Sequence, residues 1–77
     1  MKQIKSEQIA DYISSEWKII GERERKLKSF VIEGNLVKID NKDEVDLNDG
    51  YILDDNSIVF HSYRRGKNYF LYPLLGR

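Results

Sequence analysis

The chain has 77 residues, no cysteine, and thirteen basic side chains balanced by thirteen acidic ones. So short a chain buries only about 60% of its unfolded surface, which leaves room for one domain (1–77) with a marginal core. No disulfide or thiolate metal site supports it, zero net charge argues against a dedicated duplex-DNA binder, and no apolar run approaches the roughly 20 residues of a membrane span. The first residues, Met1 to Glu7, carry charges and no apolar signal-peptide core, so a soluble cytoplasmic protein is expected. Threonine is absent and alanine occurs once, a bias that fits the A+T-rich coding of a low-GC bacterium or its phages.

The first predicted element is a helix over 6–20. Ser6 is suited to the N-cap, Glu7 to the first turn, and Ile9, Ile13, Trp17 and Ile20 fall on one apolar stripe. Gly21 is read as its C′ residue. The stripe reads as core or as a dimer interface, with Trp17 as its anchor; core is preferred because the sheet needs cover.

From residue 28 to residue 75 the period is two, which predicts short antiparallel strands. Ser29 to Glu33 and Leu36 to Asp40 flank a Gly34-Asn35 turn. Glu44 to Leu47 alternates, Asp49-Gly50 reads as a hairpin turn, and Asp54 to Ser57 is another turn cluster. Ile58 to Tyr63 then pairs with Asn68 to Leu74. The expected fold class is α+β, an N-terminal helix packed on an antiparallel meander of four to six short strands, as an open sheet or a small barrel. Pro73 lacks an N–H, which predicts an edge position for the last strand.

Charge is segregated along the chain. Between Asp40 and Asn56 seven acids face a single base, Lys42, whereas Lys18 to Lys28 and the segment after His61 are net basic. The acidic stretch is therefore expected to form a second contact surface, opposite in sign to the C-terminal hairpin.

That hairpin is the most distinctive part of the sequence. Phe60 to Tyr72 holds five of the nine aromatic residues, the only histidine, and the turn Arg64-Arg65-Gly66-Lys67. Strand alternation puts Ile58, Phe60, Ser62 and Arg64 on one face with Tyr69, Leu71, Pro73 and Leu75. The other face carries Val59, His61, Tyr63 and Arg65 with Asn68, Phe70, Tyr72 and Leu74. The first is the candidate core. The candidate binding set is His61, Tyr63, Arg64, Arg65, Lys67, Asn68, Phe70 and Tyr72. Tyr and Arg are enriched at protein hot spots; aromatic rings with flanking cations also stack unpaired bases.

Chemistry beyond binding is weakly encoded. His61 with Arg64 or Arg65 could serve a metal-independent ribonuclease, but no second histidine, cysteine or nucleophile-elbow serine accompanies it. A calcium loop ending its first half at Gly50 would start at Val45, which cannot ligate, so no metal or cofactor is expected. Phosphate-cradling glycine motifs are absent as well. The function expected is a small non-enzymatic regulator or inhibitor, of the kind carried by phages and mobile elements, docking on a larger protein partner through the C-terminal hairpin. A single-stranded nucleic-acid binder using the same face is the alternative, the ribonuclease a third reading, and a homodimer is compatible with all of them.

Overall fold

The computed structural model describes residues 1–13 and 16–74. In chain order these form β1 (Lys2–Ile4), α1 (Ser6–Tyr12), β2 (Trp17–Gly21), β3 (Phe30–Glu33), β4 (Leu36–Ile39), β5 (Asp43–Asp46), β6 (Gly50–Ile52), β7 (Ile58–Ser62) and β8 (Lys67–Pro73). The strands make two antiparallel sheets, a five-stranded one ordered β1-β6-β7-β8-β2 and a three-stranded one ordered β3-β4-β5. The α+β class stands, but the chain is mostly strand, and a second sheet supplies the cover expected from a long helix. The described helix is too short to cross a membrane.

The helix ends well short of residue 20. Ile13 is already extended at φ −81°, ψ 106°, and Trp17, Ile19 and Gly21 alternate as buried residues with half-buried Lys18 and Ile20. A seven-residue helix has too few internal hydrogen bonds to stand on its own. It is held instead by one bond from outside, in which Asp49 Oδ1 accepts the Ser6 N–H at 2.7 Å, and by its own cap, in which Gln8 Oε1 accepts the Lys5 N–H at 3.1 Å. Lys5, not Ser6, is therefore the N-cap residue, and Gly21 ends a strand, not a helix. Ile9 is the helix residue that is wholly buried.

The β3–β4 hairpin turns at Gly34-Asn35 as expected. Gly34 takes φ +64° while Asn35 does not enter the left-handed region, which is the pattern of a type II′ turn. Asp49-Gly50, by contrast, is no hairpin turn. Gly50 opens β6 with an ordinary backbone, flanked by Ile4 and Phe60, and glycine is needed there because a Cβ would overlap the backbone carbonyl of Val59.

One hydrophobic cluster fills the space between the sheets. Trp17, Ile19, Ile58, Phe60, Tyr69 and Leu71 enter it from the larger sheet, Val37, Ile39 and Val45 from the smaller, with Ile4, Ile9 and Leu47 closing the ends. Among the described residues one backbone bridge, Ile19 with Lys28, joins the end of the larger sheet to the segment that leads into β3. Strand β8 lies in the interior of its sheet, between β7 and β2, so the edge position expected from Pro73 is not found. Proline is tolerated because the β7 pairing stops at Leu71. Ladder alternation, fixed by the Leu74 N–H to Glu16 carbonyl bond, also turns the Pro73 nitrogen away from β2.

Candidate functional site

The β7–β8 pairing runs from Ile58 opposite Leu71 to Ser62 opposite Lys67, which leaves a four-residue turn over 63–66. That turn is longer than a two-residue loop but has the same parity, so each side chain stays on the face that alternation gives it. Ile58, Phe60, Ser62, Tyr69 and Leu71 are buried. Leu75, read with them, lies outside the described residues.

The outward residues line up across all five strands. Gln3, Tyr51, Val59, Phe70 and Ile20 form one cross-strand row. His61 opposite Asn68 forms the next row towards the turn, and Tyr72 opposite Lys18 the row on the other side. Tyr51 is 47% exposed, while Ile20, Val59, Phe70 and Tyr72 are half-buried, with no strand or helix over them among the described residues. The Phe70 and Tyr72 rings lie 6.4 Å apart with planes 19° from parallel. The result is a shallow aromatic floor, with a recess of about 260 Å³ between Gly50, Tyr51, His61 and Asn68 at its turn end. Ile20, assigned by helical spacing to the core stripe, belongs to this floor.

At the turn end, the Nδ1 of His61 lies 2.9 Å from Oδ1 of Asn68, which orients the exposed ring. The ring meets Tyr63 edge-on at 5.2 Å. Tyr63 is 77% exposed and is the most prominent aromatic on the surface. Asn68 is held in turn by Glu22, whose N–H donates to the Asn68 carbonyl and whose side chain accepts the Asn68 N–H.

Asp46 organises the turn, a role with no distinctive signature in the sequence. Its carboxylate accepts from the Ser62 hydroxyl at 2.6 Å, from the Tyr63 N–H at 2.9 Å, from the Arg64 N–H at 3.3 Å and from the Asn48 amide at 2.7 Å. Partial burial alone would raise its pKa; the bonds from Ser62, Asn48 and Tyr63 outweigh that and hold the carboxyl far below the usual range. Asn48 also donates to the His61 carbonyl at 2.8 Å, and the Arg65 N–H donates to the Ser62 hydroxyl at 3.0 Å. Thus a carboxylate from the smaller sheet fixes the basic turn of the larger one.

The basic residues do not all face the same way. Arg64 and Arg65 are exposed on the turn, with Arg65 3.4 Å from Asp43. Lys67 shares the inward parity of Ser62 and Tyr69, so it stands apart from the His61–Asn68–Phe70–Tyr72 face with which it was grouped. Its ammonium bonds Glu24 at 2.7 Å and sits 5.4 Å from the Tyr69 ring centre. The Glu24 bond raises the Lys67 pKa against the opposing effect of burial; the same bond lowers that of Glu24, again against burial and helped by the Gly21 N–H.

The acidic stretch is not one surface. Asp43 pairs with Arg65, Asp46 holds the turn, Asp49 caps α1, Asp54 meets the N-terminal ammonium and Asp55 accepts from Ser57. Five of the seven acids thus bind within the chain, two of them at the basic turn and the others at α1, the N-terminus and the 54–57 turn.

No known protein family matches this chain, and neither a curated protein nor a solved structure is similar to it.

Proposed function

We propose that this chain is a small docking module that binds a larger protein through the outer face of its five-stranded sheet. One observation carries the reading: the row Tyr51–Val59–Phe70–Ile20, flanked by His61, Asn68 and Tyr72, is a continuous aromatic and aliphatic floor on the side of the sheet away from the core, with no further strand or helix over it among the described residues. Such a centre, ringed by polar groups, is the anatomy of a protein interface core. The partner has a complementary apolar patch bordered by carboxylates, because Arg64 and Arg65 crown the turn end of the floor. Most binding energy then comes from Phe70, Tyr72 and Tyr51, while the arginines steer encounter and register.

Single-stranded nucleic acid is the second reading, favoured by the near-parallel Phe70 and Tyr72 rings, which resemble a base-stacking platform. Cation placement favours the protein reading. On the floor itself Lys18 is the basic side chain, and it is engaged by Glu16 and Ser29. Lys67 is bonded to Glu24, so a phosphate backbone would have to compete with that carboxylate.

The test compares affinity capture from the source cell by the wild-type chain and by a Phe70→Ser/Tyr72→Ser variant whose fold is verified by NMR. Candidates are then purified and titrated alone. The docking reading expects a partner that binds at low salt and at about 0.5 M salt, shifts the floor amides on titration, and is lost with the variant. Oligonucleotide binding that maps to the same floor and collapses with salt would replace this reading with the nucleic-acid one. Equal capture by both chains would remove the floor from function.

A further inference from the structure

We infer that the recess between the turns at 21–24 and 63–66 is a second binding site, which takes a single doubly charged oxyanion of the phosphate-monoester class. The two net-basic segments of the sequence, 18–28 and the one after His61, meet at this end of the molecule. They are joined where the Glu22 N–H bonds the Asn68 carbonyl and the Lys67 ammonium bonds Glu24. Between them lies a recess of about 290 Å³ lined by Glu22, Arg23, Arg65, Gly66 and Lys67. Gly66 has no side chain to fill it, and the space where one would stand is open.

Arg23 is held there against the preference of its backbone. The Glu24 N–H donates to the Gly21 carbonyl at 3.0 Å, which closes a turn over 21–24 with Arg23 in its third position at φ +72°. A positive φ at that position alone is the pattern of a type II turn, which favours glycine or asparagine. A long side chain in the left-handed region is strained. Its neighbours have work within the fold: Glu22 accepts the Asn68 N–H at 3.1 Å, and Glu24 accepts the Gly21 N–H at 2.9 Å as well as Lys67. Arg23 forms no ion pair or hydrogen bond among the described residues. A strained arginine with no partner in its own chain, standing in the wall of a recess, points to a ligand.

The lining selects the class of ligand. Arg23 and Arg65 carry planar forks that match the oxygens of a phosphate. Arg65 lies 3.4 Å from Asp43, but the two side chains are 40% and 52% exposed. So exposed a pair contributes little, which leaves the guanidinium open to a stronger acceptor. Lys67 is neutralised by Glu24, so the attraction comes from the two arginines. Against them stands the Glu22 carboxylate. A doubly charged group gains twice what a carboxylate gains from each arginine, and so overcomes Glu22 more readily. Glu22, Glu24 and Asp43 also interrupt the positive surface, which therefore lacks the continuous track that a polynucleotide backbone follows. The site is independent of the outer floor and stands or falls without it.

The test titrates labelled protein with inorganic phosphate, with sodium chloride at matched ionic strength as the control. The inference expects amide shifts at Arg23, Glu24, Arg65 and Gly66 that saturate with phosphate and do not arise with chloride. Dimethyl phosphate, which has one charge, should bind roughly tenfold more weakly. Arg23→Asn, which suits the left-handed turn, should also lose about tenfold in affinity while its urea midpoint stays at or above that of wild type. Arg25→Gln, an exposed neighbour outside the lining, and Phe70→Ser/Tyr72→Ser should both keep wild-type phosphate affinity. A phosphoserine peptide and glycerol phosphate then separate the sources: the tighter of the two assigns the group to a protein side chain or to a free ester. Shifts that chloride reproduces, or undiminished phosphate affinity in Arg23→Asn, would overturn the site. So would a single-stranded oligonucleotide without a terminal phosphate that binds these residues more tightly than phosphoserine does.

Discussion

Phe60 and Phe70 stand on neighbouring strands of one hairpin and face opposite ways. Phe60 is 1% exposed, stacked on Tyr69 at 5.9 Å and enclosed by both sheets. Phe70 is half-buried, stacked on Tyr72, with lateral neighbours in its own sheet and no element over it among the described residues. The same contrast runs along the whole hairpin, with Ile58, Ser62 and Leu71 on one side and Val59, His61 and Tyr72 on the other. Inward residues have their packing partners within the chain. Outward ones, of nearly the same composition, pack only against neighbours in their own sheet among the described residues, and the apolar surface left over is why the floor is read as a docking face.

The contrast can be broken from the structural side first. Gly50→Ala places a methyl group against the Val59 backbone, where no rotamer can relieve it, and should separate β6 from β7. A loss of about 4 kcal/mol or more is expected in urea unfolding, with the variant unfolded at room temperature as the extreme outcome. A wild-type midpoint would mean that β6 sits differently.

Asp46→Ala comes next. It removes the acceptor of four hydrogen bonds and leaves the Ser62 hydroxyl, fully buried, without its partner. The expected cost is about 1.5–3 kcal/mol by thermal or urea melts, with broadened amide signals at Tyr63 and Arg64.

Acid titration probes the same carboxylate without mutation. The folded-state pKa values of Asp46 and Glu24 lie below their unfolded values. Their stabilisation is therefore present above the unfolded carboxylate range, near pH ~4, and is lost as pH falls below it. Urea midpoints should drop steadily below pH ~4 in wild type and more shallowly in Asp46→Ala. A parallel drop in the two proteins would contradict the assignment. Lys67→Met is the smallest effect, about 0.5–1 kcal/mol for a partly exposed ion pair, and it should leave the floor amides unshifted because Lys67 does not belong to that face.

Much of this division was legible in the sequence because strand alternation depends only on parity. The inward and outward sets of the last hairpin follow from Ile58 to Tyr72 even though the turn proved to be four residues, not two. Helical spacing misled at the other end of the chain. Ile9, Ile13, Trp17 and Ile20 satisfy a 3.6-residue period, but Trp17 to Gly21 also satisfies a period of two. Ser14-Ser15, weak helix formers, lie between the two readings. Tertiary pairing with β8 decided in favour of the strand. Asp46 was hidden for a different reason: its four donors come from residues 48 and 62 to 64, and only folding brings the latter to it. The acidic run looked like a surface because linear charge counts do not reveal that Asp43, Asp46 and Asp49 each meet a different partner.

The most direct measurement is a matched pair of urea unfolding curves for Phe60→Ala and Phe70→Ala. The account predicts a loss of about 3–5 kcal/mol for Phe60→Ala, or failure to fold, and a retained fold with a clearly smaller loss of about 1–2 kcal/mol for Phe70→Ala. Equal destabilisation by the two substitutions would show that the outer floor is part of the core, and the docking face would have to be sought elsewhere.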